Sequence, residues 1–367
     1  MPKTLDKVLG WLQGRDAARP FEAFQIEVTS RCNLQCVMCP VTVLADRWPA
    51  RDLAWETFER VAEAFPRTQW VYLQGWGEPL LHRRIFEMIA RAKSAGCQVG
   101  FTTNGTRLTP DNGERLLELG LDLVAVSIAG ARAETHEAIR AGSDFAKLVA
   151  NLRRFVARRA ARRSALPKVE IFYLMTPGNL AELPEAVELA SRLGVDELVA
   201  TNLDYVITPE LDSLRAYAGA VPARAHRDTM AKARLAATRG GVAFRPYPLE
   251  PREMAVCDLN PLRILFISAD GWVSPCVYTA LTEQSEIPRF FEGAPASIPP
   301  VRFGNVRDRP LMEIWESADY HAFRQQFARR VLRAKTFSLA AAGADAGAEE
   351  ETLAPEPCRT CPKLYGF

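Results

Sequence analysis

The segment that organises this chain runs from Phe24-Gln-Ile-Glu-Val-Thr29 into Cys32-Asn-Leu-Gln-Cys36-Val-Met-Cys39. The first stretch is rich in apolar and β-branched residues and predicts a β-strand. The second places three thiols in one short loop, which can hold three irons of a cubane cluster and leave the fourth iron without a protein ligand. An open metal position can bind a substrate or cosubstrate. The triplet therefore predicts redox chemistry at a metal, with a zinc site or a group of reduced core thiols as alternatives.

The composition is that of an ordinary globular protein with room for one large and one small domain. The 367 residues are 48% hydrophobic and 25% charged, with a net charge of only +2, so we expect neither nucleic acid nor a membrane as a partner. No apolar run approaches the roughly 18 residues that span a bilayer, and the first residues lack a signal-peptide core. We therefore expect a cytoplasmic protein, where thiols are more often free or metal-bound than paired in disulfides. Cys97, which stands apart from the other cysteines, is expected to be a small buried residue.

Strand patterns and helix patterns alternate from about residue 21 to 245, which predicts a parallel sheet covered by helices. Glycines at the ends of several helix patterns predict their stops. The predicted strands are Phe24–Thr29, Trp70–Gln74, Gln98–Thr102, Leu123–Ile128, Val169–Leu174 and Glu197–Thr201. The predicted helices between them are Ala54–Phe65, Arg83–Ser94, Asp111–Leu119, Phe145–Arg163 and Leu183–Leu193.

The pattern changes after the proline-rich stretch Pro246–Pro251, which predicts a linker. A hairpin with Asp270-Gly271 at its turn is expected next, followed by an irregular region over 281–300 and a helix over Leu311–Arg330. Residues 338–356 are low in complexity and predict a flexible insert or a loose helix. The expected organisation is an N-terminal helix or extension over 1–20, an α/β domain over 21–245 and a smaller domain over 246–367.

Polar and glycine-rich motifs follow the second, third and fourth predicted strands. They are Gln74-Gly-Trp-Gly-Glu-Pro-Leu80, Thr102-Thr-Asn-Gly105 and Val126-Ser-Ile-Ala-Gly130. Glycines allow a ligand to approach the backbone closely, a carboxylate accepts from an ammonium group, and hydroxyl and amide groups suit a nucleoside. The carboxyl ends of parallel strands meet at one edge of a sheet, so these motifs predict one shared site.

The cysteine triplet and the motifs after it resemble those of the radical S-adenosylmethionine (SAM) superfamily. The resemblance implies a partial (β/α)6 TIM barrel, open on one side, whose [4Fe–4S] cluster is held by Cys32, Cys36 and Cys39. In that family the open iron binds SAM, and an electron from the cluster cleaves SAM to methionine and a 5′-deoxyadenosyl radical.

The resemblance also implies roles in binding SAM for several residues outside the triplet. Gly75, Gly77 and Glu78 belong to the motif that meets the methionine amino group, and Arg140 and Ser127 belong with the carboxylate. Thr103 and Asn104 are placed along the ribose, and Met38 and Leu174 near the adenine. Ala129 departs from the aspartate common in relatives. The same residues could instead be turn, core or surface positions without a ligand.

A second set of cysteines, Cys257, Cys276, Cys358 and Cys361, resembles the twitch form of the SPASM extension, which binds auxiliary clusters. Four thiolates satisfy every iron of one [4Fe–4S] cubane, so this cluster is expected to relay electrons. Full SPASM domains carry seven cysteines for two clusters. A tetrahedral zinc with the same four ligands is the alternative.

These observations predict a radical SAM enzyme that abstracts a hydrogen atom from a small biosynthetic substrate, with oxidation, epimerisation or rearrangement as the outcome. A flavodoxin or ferredoxin is the expected electron donor. Because only 31 residues precede Cys32, we do not expect an added peptide-binding domain before the triplet, which favours a small molecule. A RiPP-type peptide maturase of the same family and a non-enzymatic zinc or electron-transfer protein are the alternatives. Six arginines over 152–163 are interpreted as a solvated outer helix, since the neighbouring chain is not basic.

Overall fold

The computed structural model of the protein describes residues 19–216, 224–281, 285–337 and 353–367. Its centre is a sheet of ten strands in the order β14-β11-β10-β1-β3-β4-β5-β7-β8-β9. The strands are β1 (Phe21–Ile26), β2 (Gln35–Cys36), β3 (Thr68–Tyr72), β4 (Gln98–Thr103), β5 (Leu123–Ile128), β6 (Arg140–Ala141), β7 (Lys168–Leu174), β8 (Glu197–Thr201), β9 (Ala243–Pro246), β10 (Ile264–Ile267), β11 (Trp272–Ser274), β12 (Ile287–Phe291), β13 (Ala294–Ile298) and β14 (Gly304–Asn305).

Helices follow most of the strands of the sheet. They are α1 (Pro40–Val43), α2 (Trp55–Ala62), α3 (Ile85–Ser94), α4 (Pro110–Glu118), α5 (Ala133–Ile139), α6 (Phe145–Ala161), α7 (Leu183–Leu193), α8 (Pro209–Asp212), α9 (Arg224–Gly240), α10 (Leu311–Glu316), α11 (Ala318–Phe337) and α12 (Glu356–Arg359). Short 3₁₀ turns lie at Ala45–Arg47, Phe65–Arg67, Pro79–Leu81, Leu180–Glu182, Val277–Thr279 and Pro362–Tyr365. No helix within the described ranges is long and apolar enough to cross a membrane.

The sheet is parallel from β10 through β1 to β9, and only β11 and β14 pair antiparallel at one edge. In such a barrel the crossover helices cover the outer face of the sheet and side chains of the strands fill its interior, which explains the fully buried apolar residues of the strands. The two edge strands of this sheet, β14 and β9, do not pair with each other. The structure therefore confirms the predicted open, partial-barrel α/β fold.

All six predicted strands of the barrel are present, with β5 and β8 at their predicted bounds and β1 shifted to begin three residues earlier. The predicted glycine stops are also confirmed, because Gly96, Gly120 and Gly194 all have a positive φ between 63° and 74°. That left-handed conformation favours glycine over residues with a side chain. Helix ends and strand alternation were therefore readable from local sequence.

Two parts of the C-terminal segment differ from the prediction. The region 281–300 was expected to be irregular, but β12 and β13 pair as an antiparallel hairpin. Its prolines, Pro288 and Pro295, are tolerated because both strands of a two-stranded sheet are edges. The single helix predicted over Leu311–Arg330 is divided into α10 and α11, since Ser317 between them is extended. The predicted linker region leads into β10, which pairs in parallel with β1, and the predicted hairpin with a positive φ at Gly271 is present.

The arginine-rich helix α6 was predicted to be a solvated outer helix, but several of its arginines contact neighbouring elements. Arg159 is buried and donates to the carbonyl of Pro167 and to Asp196. Arg158 and Arg162 form ion pairs with Glu114 on α4. These contacts tie α6 to its neighbours and give several of the arginines a structural role. Residues 1–18 of the extension predicted over 1–20, and residues 338–352 of the low-complexity region, lie outside the described residues.

Candidate active site and auxiliary metal centre

The triplet loop lies just beyond the carboxyl end of β1, where it forms a small sheet with the segment after α5. Cys36 on β2 lies opposite Arg140 on β6, and the Arg140 Nη1 atom is 3.8 Å from the Cys36 sulfur. Cys39 precedes α1, with Pro40 at the first helical position, and its N–H donates to the Cys36 carbonyl at 3.0 Å. All three thiols are free of disulfides. The loop is therefore held by backbone pairing before any ligand binds.

The thiols of this loop are partly or fully removed from water. Burial raises the pKa of Cys32 and raises that of Cys39 to about 12, and the neighbouring thiols add to both shifts. A metal ligand must be a thiolate, so metal binding to this loop would release protons. Arg140 acts in the opposite direction and lowers the pKa of Cys39. The Nε atom of Arg140 is buried and has no hydrogen-bond partner among the described residues, so it fits an acceptor supplied by a ligand.

The glycine-rich motif after β3 supports the start of the triplet loop. A Cβ atom on Gly77 would lie 2.3 Å from the Thr29 carbonyl oxygen and 2.6 Å from that of Arg31. The next residue, Glu78, donates its N–H to the Arg31 carbonyl at 2.8 Å. A side chain at position 75 would also clash, because a Cβ atom added to Gly75 would lie 2.5 Å from the Cβ atom of Glu27. The motif therefore permits a close backbone approach to the segment that leads into Cys32.

Glu78 is a buried carboxylate that organises the end of β4. It accepts from the Thr103 hydroxyl and the Asn104 N–H, both at 2.7 Å, and from the Leu80 N–H at 3.1 Å. Burial raises its pKa, although these donors oppose the shift. Asn104 in turn reaches the triplet loop, with its Nδ2 atom 3.8 Å from the Cys32 sulfur and 3.0 Å from Asn33 Oδ1. The structure thus gives Glu78, Thr103 and Asn104 contacts with one another; their roles toward SAM stay predictions.

The remaining predicted residues lie around the same end of the sheet. Leu174 is buried, Met38 is half-buried, and both pack in one apolar cluster with Ala129. Ser127 is half-buried near the end of β5. Nearby, His136 is fully buried with a pKa lowered to about 3 by burial and by Arg140, and its Nδ1 atom accepts from the Ala129 N–H at 3.3 Å. A neutral imidazole thus holds the backbone at Ala129, just after β5.

Glu27 is a buried residue near this site that the sequence analysis did not identify. It is 3% exposed and accepts from the Trp76 N–H at 3.0 Å and the Ala269 N–H at 3.2 Å. Burial raises its pKa to about 7, and Asp270 contributes to the shift. The sequence signal that could have identified it is a single carboxylate within the apolar pattern of the first predicted strand. Glu27 joins the glycine-rich motif to the turn between β10 and β11.

An apolar layer, which we call the mouth cluster, covers the carboxyl ends of the strands. Trp76, Tyr205 and Tyr278 form its centre, with ring centroids 5.3–5.7 Å apart, and Trp48 packs edge-on to Trp76 at 6.4 Å. It also includes Met38, Val43, Leu44, Ala129, Ile139, Leu174, Leu203, Val206, Ile207, Leu211, Leu214, Leu281, Ile287, Phe290 and Ile298. The triplet loop, the barrel strands and the C-terminal segment therefore meet in one layer.

The second set of cysteines comes together from three separate segments. Cys257, Cys276, Cys358 and Cys361 all line one cavity, together with Arg289 and Lys363. Burial raises the pKa of all four thiols, that of Cys276 to about 11. Over the described ranges, no three His, Cys, Asp or Glu side chains are grouped as a site for a single metal ion. A cubane binds each thiolate at a different iron, so its ligands do not need to meet at one point.

A hydrogen-bonded chain connects the mouth cluster to this cavity. The Tyr278 hydroxyl donates to Asp204 at 2.7 Å, and Lys363 lies 2.9 Å from Asp204 and 3.6 Å from Asp258. Tyr247 donates to Asp258 at 2.9 Å. Burial alone would lower the pKa of Lys363, but Asp204 and Asp258 outweigh it and the pKa is raised. Cys97 is remote from both sites and buried, as predicted, with its sulfur 3.3 Å from the Phe65 carbonyl.

Comparison with known proteins gives two family matches, one that includes the cysteine triplet and one that includes the second set of cysteines. Residues 26–190 match the radical SAM superfamily, and residues 257–362 match SPASM, an iron–sulfur cluster-binding domain.

Similar proteins include the tungsten-containing aldehyde ferredoxin oxidoreductase cofactor-modifying protein of Pyrococcus furiosus, which is 31% identical over 305 residues, 82% of either chain. The AdoMet-dependent heme synthase of Methanosarcina barkeri is 26% identical over 311 residues, covering 80% of this chain and 81% of the synthase. In fold, the chain resembles Streptococcus suis SuiB bound to the precursor peptide SuiA, with a TM-score of 0.60 at 12% identity. That match covers 98% of this chain and 73% of SuiB.

The matches agree with the geometry, since a triplet loop at the carboxyl ends of parallel strands precedes a second thiol-lined cavity. The predicted SAM, [4Fe–4S] cluster and auxiliary-cluster chemistry is thereby confirmed at the level of the family. This chain belongs to the radical SAM superfamily and carries a C-terminal SPASM iron–sulfur cluster-binding domain.

Proposed function

We propose that the protein is a radical SAM enzyme that abstracts a hydrogen atom from a small biosynthetic molecule. The observation that carries this proposal is the triplet loop itself, held at the strand ends with Arg140 on one side and the Glu78–Thr103–Asn104 contacts on the other. When bound, the cluster and SAM supply the radical that removes hydrogen from the substrate.

The residues present fit these groups. Cys32, Cys36 and Cys39 would hold three irons, and the unpartnered Nε of Arg140 would receive the carboxylate of SAM. Gly77 would let the glycine-rich motif pack directly against the backbone before Cys32, and Gly75, Gly77 and Glu78 would meet the methionine amino group. Met38 and Leu174 would offer an apolar surface to the adenine. Ser127, Thr103 and Asn104 would complete the polar side of the site.

The second thiol cavity fits an auxiliary [4Fe–4S] cluster held by Cys257, Cys276, Cys358 and Cys361. Its four thiolate donors would leave no iron open, so its role would be to move electrons. The reaction could be an oxidation, in which the cluster accepts an electron, or an epimerisation or rearrangement, in which it donates one. A cytoplasmic flavodoxin or ferredoxin would supply the electrons for SAM cleavage.

A small substrate is favoured over a peptide by the mouth cluster and by the similar proteins. The mouth cluster covers the strand ends with aromatic side chains. One of them, Trp76, has a buried indole N–H without a partner among the described residues. An apolar, aromatic surface with a few polar groups suits a small molecule. Two relatives that match about four fifths of the chain are named for cofactor modification and heme synthesis. A peptide maturase is the second candidate, because SuiB, which shares the fold, binds a precursor peptide.

The test is anaerobic reconstitution with iron and sulfide, followed by addition of SAM and dithionite and quantification of 5′-deoxyadenosine. The matched control is the Cys32→Ala, Cys36→Ala, Cys39→Ala variant. We expect about eight irons per chain and product only from the parent. Bound zinc, or no SAM cleavage by fully loaded protein, would overturn the enzyme assignment. A precursor peptide that co-purifies and is modified would replace the small-molecule proposal with the maturase.

A further inference from the structure

Arg289, on the hairpin strand β12, is a buried cation in the wall of the auxiliary cavity. It is 3% exposed and lines the same cavity as the four cysteines. Arg289 therefore lies among the proposed ligands.

Its hydrogen bonds connect two of the segments that carry those ligands. Arg289 Nη1 donates to the carbonyl of Pro357, the residue before Cys358, and Nη2 donates to the carbonyl of Tyr278 at 3.2 Å, two residues after Cys276. The planar guanidinium suits such two-ended contacts. The side chain thus bridges cysteine-bearing segments that are about eighty residues apart in sequence.

Among the described residues, no acidic side chain pairs with Arg289 itself. Within the part of the chain that the structure describes, the hydrogen-bond partners of Arg289 are carbonyl oxygens, no carboxylate forms an ion pair with it, and its Nε atom is buried without a partner. Lys363, in the same cavity, differs because Asp204 and Asp258 pair with it. A buried charge without a counter-charge is unfavourable, so the Arg289 site fits an anionic occupant of the cavity.

We propose that Arg289 is a positioning residue of the auxiliary cluster that compensates its negative charge and raises its reduction potential. This inference rests on the proposed assignment of Cys257, Cys276, Cys358 and Cys361 as cluster ligands. Four thiolates give the cluster a net negative charge, and net charge is one of the factors that set its potential. Reduction adds a further negative charge, and a cation in a buried, weakly screened position stabilises that reduced form.

The experiment uses the full chain with Cys32→Ala, Cys36→Ala and Cys39→Ala, so that only the auxiliary cluster is present. Arg289→Gln removes the charge, Arg289→Lys keeps it without the planar fork, and Arg309→Gln removes an exposed arginine that does not line the cavity. For each protein, iron is counted and the midpoint potential is measured by EPR-monitored redox titration.

We expect Arg289→Gln to shift the reduction equilibrium at least tenfold toward the oxidised form, which is 59 mV for one electron. Arg289→Lys should shift it by less than half of that, and Arg309→Gln should leave it unchanged. Loss of iron from Arg289→Gln but not from Arg289→Lys would also support the charge requirement.

An Arg289→Gln protein with full iron and the parent potential would overturn the proposal. Loss of iron from both Arg289 variants would overturn it too, by showing that only the fork geometry matters. A parent without an iron–sulfur spectrum in this background would reject the auxiliary cluster and the inference together. Absence of 5′-deoxyadenosine from the wild-type protein would reject the proposed function alone, since the potential is measured without SAM.

Discussion

The two thiol sites are built in opposite ways. Cys32, Cys36 and Cys39 lie within eight residues of sequence, and the strand pair β2–β6 fixes the middle one beside Arg140. The auxiliary set spans residues 257 to 361 and is assembled only when three segments of chain meet at one cavity. The first site is local in sequence and the second is a product of tertiary folding. The loop can leave an open position for chemistry, whereas the closed four-thiol site suits electron transfer.

The two sites also differ in how their buried cations are paired. Arg140, beside the triplet, keeps an unpartnered buried nitrogen that can receive a ligand. The auxiliary cavity has two buried cations, of which Lys363 is paired with acids and Arg289 is not. A site that binds a cosubstrate needs an unsatisfied group, and a site that only holds a cluster can use its charges to set a potential. Mutations can test how independent the two sites are.

The largest effect should come from removing single ligands. Cys36→Ala should reduce iron from about eight to about four per chain and bring 5′-deoxyadenosine below detection, because two thiolates cannot hold the triplet's cluster. Cys358→Ala should also leave about four irons, yet retain SAM cleavage under dithionite. Iron analysis and 5′-deoxyadenosine quantification check both. Loss of all iron from either variant would show that the sites do not assemble independently.

The second largest effect is expected at Glu27. Its carboxylate accepts hydrogen bonds from Trp76 in the glycine-rich motif and from Ala269 in the turn between β10 and β11. Burial raises its pKa from 4.5 to about 7, so the folded state binds the proton more tightly than the unfolded state. The stability that Glu27 contributes is complete below pH about 4.5 and is lost as the pH rises through about 7, a change of about 3 kcal/mol. Glu27→Gln should remove this dependence.

Urea unfolding of the parent and of Glu27→Gln, each in the same cluster state, measures that difference between pH 4.5 and 7.5. The control is Glu118→Gln, whose parent side chain is 63% exposed and belongs to neither site. A constant gap between the parent and Glu27→Gln across the pH range would contradict the expected titration.

A smaller loss of stability should follow from Gly77→Ala. Its Cβ would lie 2.3 Å from a backbone oxygen of the segment leading into Cys32, so the backbone would have to move. We expect the free energy of unfolding to fall by about 2 kcal/mol. We also expect iron to be lost from the triplet site alone. Gly178→Ala is the control, because its Cβ would meet nothing closer than 4.0 Å. Retention of about eight irons by Gly77→Ala would contradict the close-approach interpretation.

The smallest effect is expected for Met38→Leu. Met38 is half-buried in the mouth cluster, and a swap that conserves volume costs less than about 1.5 kcal/mol. Iron content should not change, and SAM affinity measured by equilibrium dialysis should fall by no more than about tenfold, near 1.4 kcal/mol. Loss of iron would instead assign Met38 a structural role in the loop.

The barrel was predictable because its signals are local. Leu123–Ile128 and Glu197–Thr201 form strands at their predicted bounds, and Gly194 ends its helix with a φ of 70°. The hairpin β12–β13 was missed, because prolines are rare in central strands but tolerated at edges. The addition of β10 beside β1 was missed as well, because strand pairing across more than two hundred residues leaves no local pattern.

The sequence by itself determined the class of chemistry and the main fold. Three thiols at this spacing after a strand, and polar motifs after the next strands, follow from residue types and short distances along the chain. Only the tertiary structure decided what lies beside those residues: Glu27 between two regions, Glu78 satisfied by the end of β4, and Arg289 without a counter-charge. Burial and pairing set the energy of a charged group, and both depend on segments that are distant in sequence.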